Sequence, residues 1–560
     1  MKASNNVLQG YENTKLVRYE DAQDSLFTVA YDDLPVTDVN GVLKASWYVG
    51  GKLMQAYTAE ENHVGVIAAT RLGKTTSYAI PMILSFAKQK KKRGMIISDP
   101  KGELYRMTAA TLMKEGYKVK LINFRDYKHS ECWNLLTPIF RKYRKAVSVY
   151  DEVEVVETEA GTRNAFRGKI YESQEELDDH LERLRDMLLD EVGNDIDTVA
   201  EMLITVESQK DPYWEHSSAE LLKAYLWAML EDSDKEENPI TEDTYSFSTI
   251  MSILASIRDD NSATYNDDGY FTDRGENSRA YRLVKNILLE NGNITRRCIL
   301  AVFNTKMAPL KDCAMRIITS CNSFDMQELI DGPTAFFINY RDELKTHYQI
   351  ISLFIQDAYR YLIAQANENA SGKLDVPFYF ILDEFGNFPA ITSFETTISA
   401  CAGRNIWFVL IIQSYAQLDN VYGKSVSEII RDNLNVHIFF GSNNPETLDA
   451  FSKECGNQTR ISPLSALNGS GEEIEHYALE TIPLVPKSML AHFEPGECII
   501  TEANSGYVLF SKLERYYLCN EFKNLPQLST RDYVCAVDPF DKRFKYVIKK
   551  RKSRNPFDDD

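Results

Sequence analysis

The sequence predicts an α/β chain: a doubly wound, mostly parallel sheet interrupted by an inserted all-α region. Three observations predict it. A short apolar strand breaks into Gly73-Lys74-Thr75 and then into a helix. A strand–helix alternation stops near residue 135 and resumes near residue 333. A second apolar strand, beginning at 376, ends in Asp383-Glu384.

The organising stretch is HVGVIAATRLGKTTS, residues 63–77. His63 to Ala69 is rich in β-branched residues and too short for a buried helix, so it reads as a parallel strand. Ala68 to Thr75 keep the G-x-x-x-x-G-K-[ST] spacing of a phosphate-binding loop, with alanine at the first glycine. In such a loop, backbone N–H groups at a helix N-terminus face the phosphates. Lys74 adds a full charge, and the Thr75 hydroxyl is placed to ligate Mg²⁺. The candidate phosphate-binding residues are Ala68, Ala69, Thr70, Arg71, Leu72, Gly73, Lys74, Thr75 and Thr76. Ala68 needs a backbone conformation that alanine tolerates, and Arg71-Leu72 make the loop bulkier than a glycine-rich one. The competing reading, a chance tripeptide at a helix start, is weakened by the strand before it and the helix after it.

Composition bounds the classes. With 560 residues, 44% of them hydrophobic, the chain has room for three or four domains with sizeable cores. No apolar run reaches bilayer-spanning length and the first fifteen residues hold no signal-peptide h-region, so a soluble protein is expected. The nine cysteines form no C-x-x-C pair, which argues against a disulfide framework or a zinc site and fits a reducing cytoplasm. The net charge of −19 is uneven: residues 151–260 hold 30 acidic and 9 basic residues, while the remainder holds 54 basic and 52 acidic. A nucleic-acid-handling body with an acidic accessory domain is therefore compatible with the total, although a solvated helical surface also accounts for such charge.

In chain order, Gly50-Gly51 between alternating segments predicts a hairpin leading into the sheet edge. Thr76–Lys92 reads as a helix whose C-terminal cluster, Lys88, Lys90, Lys91, Lys92 and Arg93, suits the helix dipole. Residues 94–105 read as strand, Asp99-Pro100 breaker and helix, with Asp99 and Lys101 contacting the nucleotide, a neighbouring subunit or only the turn. A strand follows at 117–123. Residues 135–326 show 3.6-residue periodicity with few strand signals, and Trp214 reads as core.

A strand at 333–340 and a helix at 349–366 resume the alternation. The strand ending at Asp383-Glu384 brings two carboxylates to the edge where the phosphate loop sits. The first is a candidate Mg²⁺ ligand through water, and the second is the candidate polarising the attacking water. Gln413 ends the next strand, 407–414, as a candidate γ-phosphate or water sensor. Arg404 in the preceding loop is either an ion-pair residue or a guanidinium supplied to a neighbouring subunit. A further strand at 436–442 and a helix complete the sheet. Residues 460–474 read as a mobile loop or linker, residues 497–517 as a closing hairpin, and the basic tail from Lys542 as charged and disordered, with a nucleic-acid or partner contact as the alternative.

With these stretches in place, the chain resembles the conjugative coupling proteins of type IV secretion systems, TraG/TraD-like hexameric ATPases related to FtsK and HerA motors. AATRLGKTT at 68–76, IISDPKGEL at 96–104, FILDEFGNFPAI at 380–391 and CAGRNIWFVLIIQSYAQLDNVYG at 401–423 carry the resemblance. PETLDAFSKECG and PLVPKSMLAHFEPGECII also fit, so most of residues 60–518 are covered.

The resemblance implies a RecA-like P-loop NTPase domain in two parts, 61–134 and 327–530. An N-terminal segment, 1–60, precedes them, an acidic all-α domain, 135–326, interrupts them, and a basic tail, 531–560, follows. It implies ATP with Mg²⁺ bound between subunits of a ring, a hexamer when active and a monomer in solution until recruited. It also implies single-stranded DNA, a relaxase and relaxosome proteins, and the secretion channel as partners. Carried over, Lys74 and Thr75 hold phosphate and Mg²⁺, Asp383 and Glu384 are the carboxylate pair, Gln413 the sensor and Arg404 the finger in trans. Many members begin with transmembrane helices, which are not read here. A soluble variant, a removed anchor, or an anchor on another polypeptide each fit, and a soluble form requires a membrane-bound partner at the inner face of the cell membrane. Two other functions use the same residues: a relaxosome docking adaptor with nucleotide serving assembly only, and a DNA segregation or repair translocase.

Overall fold

The computed structural model describes residues 15–22, 26–158, 161–206, 211–257, 270–289, 293–341, 343, 347–388, 390–467, 473–503 and 505–535. The basic tail from Lys542 lies outside the described residues. The chain divides into two compact units. One comprises the residues up to Arg125 together with Met326–Tyr533, and the other comprises Asp126–Asp325, to which Val534 and Cys535 are also assigned.

The first unit is built on a ten-stranded sheet. Edge to edge its strands are Lys15–Arg18, Tyr507–Lys512, Glu497–Glu502, Val436–Gly441, Val64–Ala68, Ile406–Ile412, Phe378–Leu382, Gly94–Asp99, Thr334–Asn339 and Lys118–Asn123. From Val436–Gly441 to Lys118–Asn123 every pairing is parallel. The Glu497–Glu502 and Tyr507–Lys512 hairpin adds antiparallel to that block. The central strands are buried nearly throughout, which is why VGVIA, FYFIL and IWFVLII run apolar without alternation. Their register pairs Leu382 with both Ser98 and Leu410, and Ile412 with Ile67. The loops that follow these strands therefore emerge along one edge, where α/β sheets bind ligands.

The helix after the phosphate loop starts at Lys74, runs as wide π-type turns through Ala79 and continues as the α-helix Ile80–Lys88. It stops short of Arg93, which is not part of a solvated basic cluster. Arg93 is fully buried. Its guanidinium pairs with Glu61 at 2.6 Å, donates to Gln89 and to Val39 O, and lies 4.6 Å from the Phe86 ring centroid. Tyr379 also donates to Glu61, at 2.5 Å. Arg93→Met removes the cation and leaves the carboxylate enclosed, so a loss of about 3 kcal/mol is expected, read as a lower urea midpoint.

His63 is buried beside Trp407 and Phe408, and its Nδ1 accepts the Phe408 N–H at 3.0 Å. Burial pushes its pKa down to about 4. The unfolded imidazole, titrating near 6.5, binds a proton that the folded one refuses, so stability falls as pH drops through that range. The expected loss is about 2 kcal/mol between pH 7 and pH 5, absent in His63→Gln, read from urea midpoints at both pH values.

The expectations for the Gly50-Gly51 hairpin and for residues 460–474 are corrected. The Gly50-Gly51 hairpin forms, with both glycines at positive φ. However, Leu43–Val49 and Lys52–Tyr57 build a separate three-stranded sheet with Phe27–Ala30 rather than the edge of the main sheet. The hydrogen-bonding edge of Lys52–Tyr57 is taken by Phe27–Ala30, and the hairpin meets the main sheet through Ser511 Oγ donating to Lys44 O at 2.6 Å. The stretch 460–474 is not a loop throughout: Asn457–Leu467 and Glu473–Pro483 pair antiparallel along their length. Pro463 obscured the strand, yet in a two-stranded ribbon each strand is an edge and tolerates proline.

The second unit is helical for most of its length, with Thr137–Val147, Gln174–Leu203, Tyr213–Glu231, Phe247–Ile257 and Asn293–Lys306 its longest helices. It also holds an antiparallel meander, Val153–Thr158, Gly161–Phe166 and Lys169–Ile170, which the periodicity did not reveal. Trp214 is not core: it is half-buried, with its indole N–H on Asp211 at 3.1 Å. Trp227 is the buried tryptophan of the Tyr213–Glu231 helix. The long Gln174–Leu203 helix buries Leu177, Leu181, Leu188, Val192, Ile196 and Leu203 along one face and turns its acidic residues outward. The ends of the unit are tied together: Trp133 N donates to Ile318 O and Asn134 N to Asn322 Oδ1, both at 2.7 Å. No helix among the described residues is long and apolar enough to cross a membrane.

Candidate nucleotide site

The phosphate loop leaves the buried strand Val64–Ala68 and is pinned where Ala69 N donates to Gly441 O at 3.0 Å. Left-handed backbone falls on Arg71 (φ 72°) and Gly73 (φ 101°) and not on Ala68. Alanine therefore stands at the first motif position without strain, because that residue is still strand. At Gly73 an added Cβ would lie 2.9 Å from Ser77 Oγ, so conformation and space both select glycine.

Among the described residues the N–H groups of Gly73, Lys74, Thr75 and Thr76 donate to no acceptor, and the first intrahelical bond is Ser77 N to Gly73 O at 2.6 Å. Four donors at a helix N-terminus suit an anionic phosphate chain. The Thr75 hydroxyl likewise makes no hydrogen bond among the described residues. With the Asp383 carboxylate it offers the hard oxygen donors Mg²⁺ prefers, and few protein ligands suffice because that ion keeps waters and phosphate oxygens.

The structure brings five predicted residues together. Lys74, 7% exposed, places its ammonium 2.5 Å from Glu384 Oε1 and 3.3 Å from Asp383 Oδ1. Gln413 Nε2 donates to the other Glu384 oxygen at 2.9 Å, and Thr70 Oγ1 lies 3.4 Å from Gln413 Oε1. The Ile406–Ile412 strand lies between the loop strand and the carboxylate strand, so Gln413 bridges the two. Glu384 adopts left-handed backbone, φ 55° and ψ 35°, which costs about 1 kcal/mol and aims its side chain back toward the loop. Burial lifts the Asp383 carboxyl above its ordinary range; the Lys74 ammonium opposes the rise and the Glu384 charge adds to it.

Neighbouring elements hold this edge. Ser98 Oγ donates to Asp383 O at 2.8 Å. Asp99 serves its turn, accepting Tyr105 N–H at 2.8 Å, while burial pushes its pKa up to about 7. Lys101 is exposed beyond it. Arg404 does not join the cluster. It precedes the N-terminal end of the Ile406–Ile412 strand, where it donates to Asn367 Oδ1 at 3.1 Å and Ala400 O at 2.8 Å. A strand of this length separates its ends by roughly 20 Å.

Sequence reasoning did not single out Gln417, whose Oε1 accepts Gln413 N–H at 3.1 Å. Nor did it single out Gly386, where an added Cβ would meet Gln417 Oε1 at 2.7 Å. The available signal was the four-residue spacing from Gln413 to Gln417 across a helix start.

The sheet order, the phosphate loop and the paired carboxylates on the same edge define a RecA-like P-loop NTPase fold with a large helical insertion. The chain belongs to the type IV secretory system conjugative DNA transfer family, whose model matches residues 20–467. It is 22% identical over 274 residues to coupling protein TraD of Escherichia coli strain K12, covering 48% of this chain and 34% of TraD. It is 20% identical over 402 residues to protein VirD4 of Rhizobium rhizogenes, covering 71% of this chain and 50% of VirD4. The matches thus span half or less of these relatives' lengths. Among solved structures, plasmid coupling protein TrwB in complex with a non-hydrolysable ATP analogue aligns with a TM-score of 0.57 at 13% identity, covering 94% of this chain and 97% of that one. At that identity the likeness speaks for the fold.

Proposed function

We propose that this protein is an ATP-dependent coupling protein of conjugative DNA transfer, which recruits a relaxase–DNA complex and drives it toward a type IV secretion channel. The observation that carries the reading is the convergence of Lys74, Glu384 and Gln413 on one edge, from segments more than three hundred residues apart. The family match supports the conjugative setting, and TrwB is a protein whose structure holds ADP and Mg²⁺.

In this reading the loop N–H groups and Lys74 bind the triphosphate. Gln413 orients water against Glu384, whose Oε2 accepts its proton. Thr75 and Asp383 would hold Mg²⁺, which supplies neutralisation of phosphate charge. Arg404, remote from its own chain's loop, serves the site of a neighbouring copy in a ring, a hexamer when active. The outward acidic face of Gln174–Leu203 offers a contact for basic relaxosome proteins. A membrane-bound partner brings the assembly to the inner face of the cell membrane.

ATP hydrolysis measured with particle sizing, with and without single-stranded DNA, tests the proposal. DNA-stimulated hydrolysis that accompanies assembly is expected. Hydrolysis indifferent to DNA, with conjugative transfer intact in Lys74→Ala cells, would leave a docking adaptor instead.

A further inference from the structure

Glu384 and Gln413 lie at the ends of two neighbouring strands, and each is followed by backbone with no strand partner to hold it. Glu384 sits in left-handed conformation and Gln413 at the turn into the Tyr415–Tyr422 helix. The question the geometry raises is what keeps the two side chains in register.

One side chain touches both turns. Gln417, in the first turn of that helix, accepts the backbone N–H of Gln413 through Oε1 at 3.1 Å. The same side chain fills the space beside Gly386, two residues beyond Glu384. An added Cβ there would stand 2.7 Å from Gln417 Oε1, 2.8 Å from its Cβ and 3.2 Å from its Cδ. Gly386 is not at a positive φ, so the need for glycine is one of space rather than backbone conformation. The helix holds the carboxylate segment again at its other end: Tyr422 OH accepts Ile391 N–H at 3.2 Å, and its ring stacks 6.0 Å from Phe385. Tyr415 N in turn donates to Thr447 Oγ1 at 3.1 Å, which anchors the helix start to the Pro445–Glu454 helix.

We propose that Gln417 is a positioning residue for nucleotide hydrolysis, fixing Gln413 by a hydrogen bond and the Glu384 turn by packing on Gly386. The inference rests on the hydrolytic reading of this site. Gln417 itself acts through these two neighbours. Its acceptor oxygen fixes the Gln413 backbone N–H, and with it the start of that side chain, and its bulk determines how closely the Glu384 turn approaches. The Gly386 contact predicts a specific non-additivity, because a methyl at residue 386 displaces the side chain that orients Gln413.

The test compares steady-state ATP hydrolysis and thermal unfolding in the full chain carrying Gln417→Met, Gln417→Gly, Gly386→Ala, or Gly386→Ala with Gln417→Gly. Methionine keeps the volume and removes the acceptor, so kcat is expected to fall about three- to tenfold with KM and Tm nearly unchanged. Gly386→Ala is expected to lower kcat further. Adding Gln417→Gly to it should return kcat to the level of Gln417→Gly alone, since glycine removes all three atoms that a Cβ at residue 386 would meet while the hydrogen bond stays lost. Wild-type kcat in Gln417→Met, or additive losses in the double variant, would overturn the inference while leaving the hydrolytic reading standing. Absence of hydrolysis in the unsubstituted chain under DNA stimulation would instead remove the reading on which it rests.

Discussion

Glu384→Gln is expected to lower the ATP turnover number by about 10²- to 10⁴-fold, with nucleotide affinity close to that of the unsubstituted chain. The amide keeps the size of the carboxylate, and its one oxygen can still accept from Lys74, which donates to Oε1 at 2.5 Å, while its NH₂ replaces the oxygen that accepts from Gln413 Nε2 at 2.9 Å. What it loses is the ability to take a proton from water. Lys74→Ala should behave differently. It removes the charge that faces both carboxylates and that would meet the phosphates, so binding weakens together with turnover. Steady-state kinetics and fluorescent-nucleotide titration on both variants separate the two effects. Unreduced turnover in Glu384→Gln would mean that another group activates the water.

Arg404→Ala is expected to cost about 10³-fold in turnover, the magnitude of a guanidinium supplied in trans to phosphoryl transfer. Within one chain the residue cannot do this, because it lies at the opposite end of the Ile406–Ile412 strand from Gln413 and is engaged by Asn367 and Ala400. Mixing therefore gives the decisive measurement. Lys74→Ala and Arg404→Ala chains, each inactive alone, should recover a fraction of activity together. An intact loop on one chain would then face an intact arginine on the next. Recovery requires an assembly in which neighbours complete each other's sites. Failure to recover in mixed assemblies of verified size would assign Arg404 to holding its own loop.

Much of the sheet was legible because its strands are buried on both faces and announce themselves as short continuous apolar runs. The strand at 378–382 and the helix after Gly73 could be placed in this way within a few residues. Patterning failed where the burial signal is weak or the punctuation misleads. The 153–170 meander has an exposed Val155 and Ile170, so its alternation carries little hydrophobic contrast. Pro463 broke a strand signal that a two-stranded ribbon tolerates. Arg93 followed four lysines in a row of charge, and nothing local distinguished the one cation that folds inward to Glu61.

At the candidate site, chemistry was local and proximity was not. The order Gly73-Lys74-Thr75 and the adjacency of Asp383 with Glu384 express functional groups within a few bonds of each other, so a motif reveals them. Their meeting depends on which strands lie side by side. The strand ending at Gln413 inserts between the loop strand and the carboxylate strand, and it makes that residue the bridge. Gln417 against Gly386 follows from the same order. Periodicity along a chain reports which face of an element is apolar. Strand order and register arise from pairing between distant segments, whose hydrogen-bonding groups are the same at every position and so leave no mark in the residue pattern.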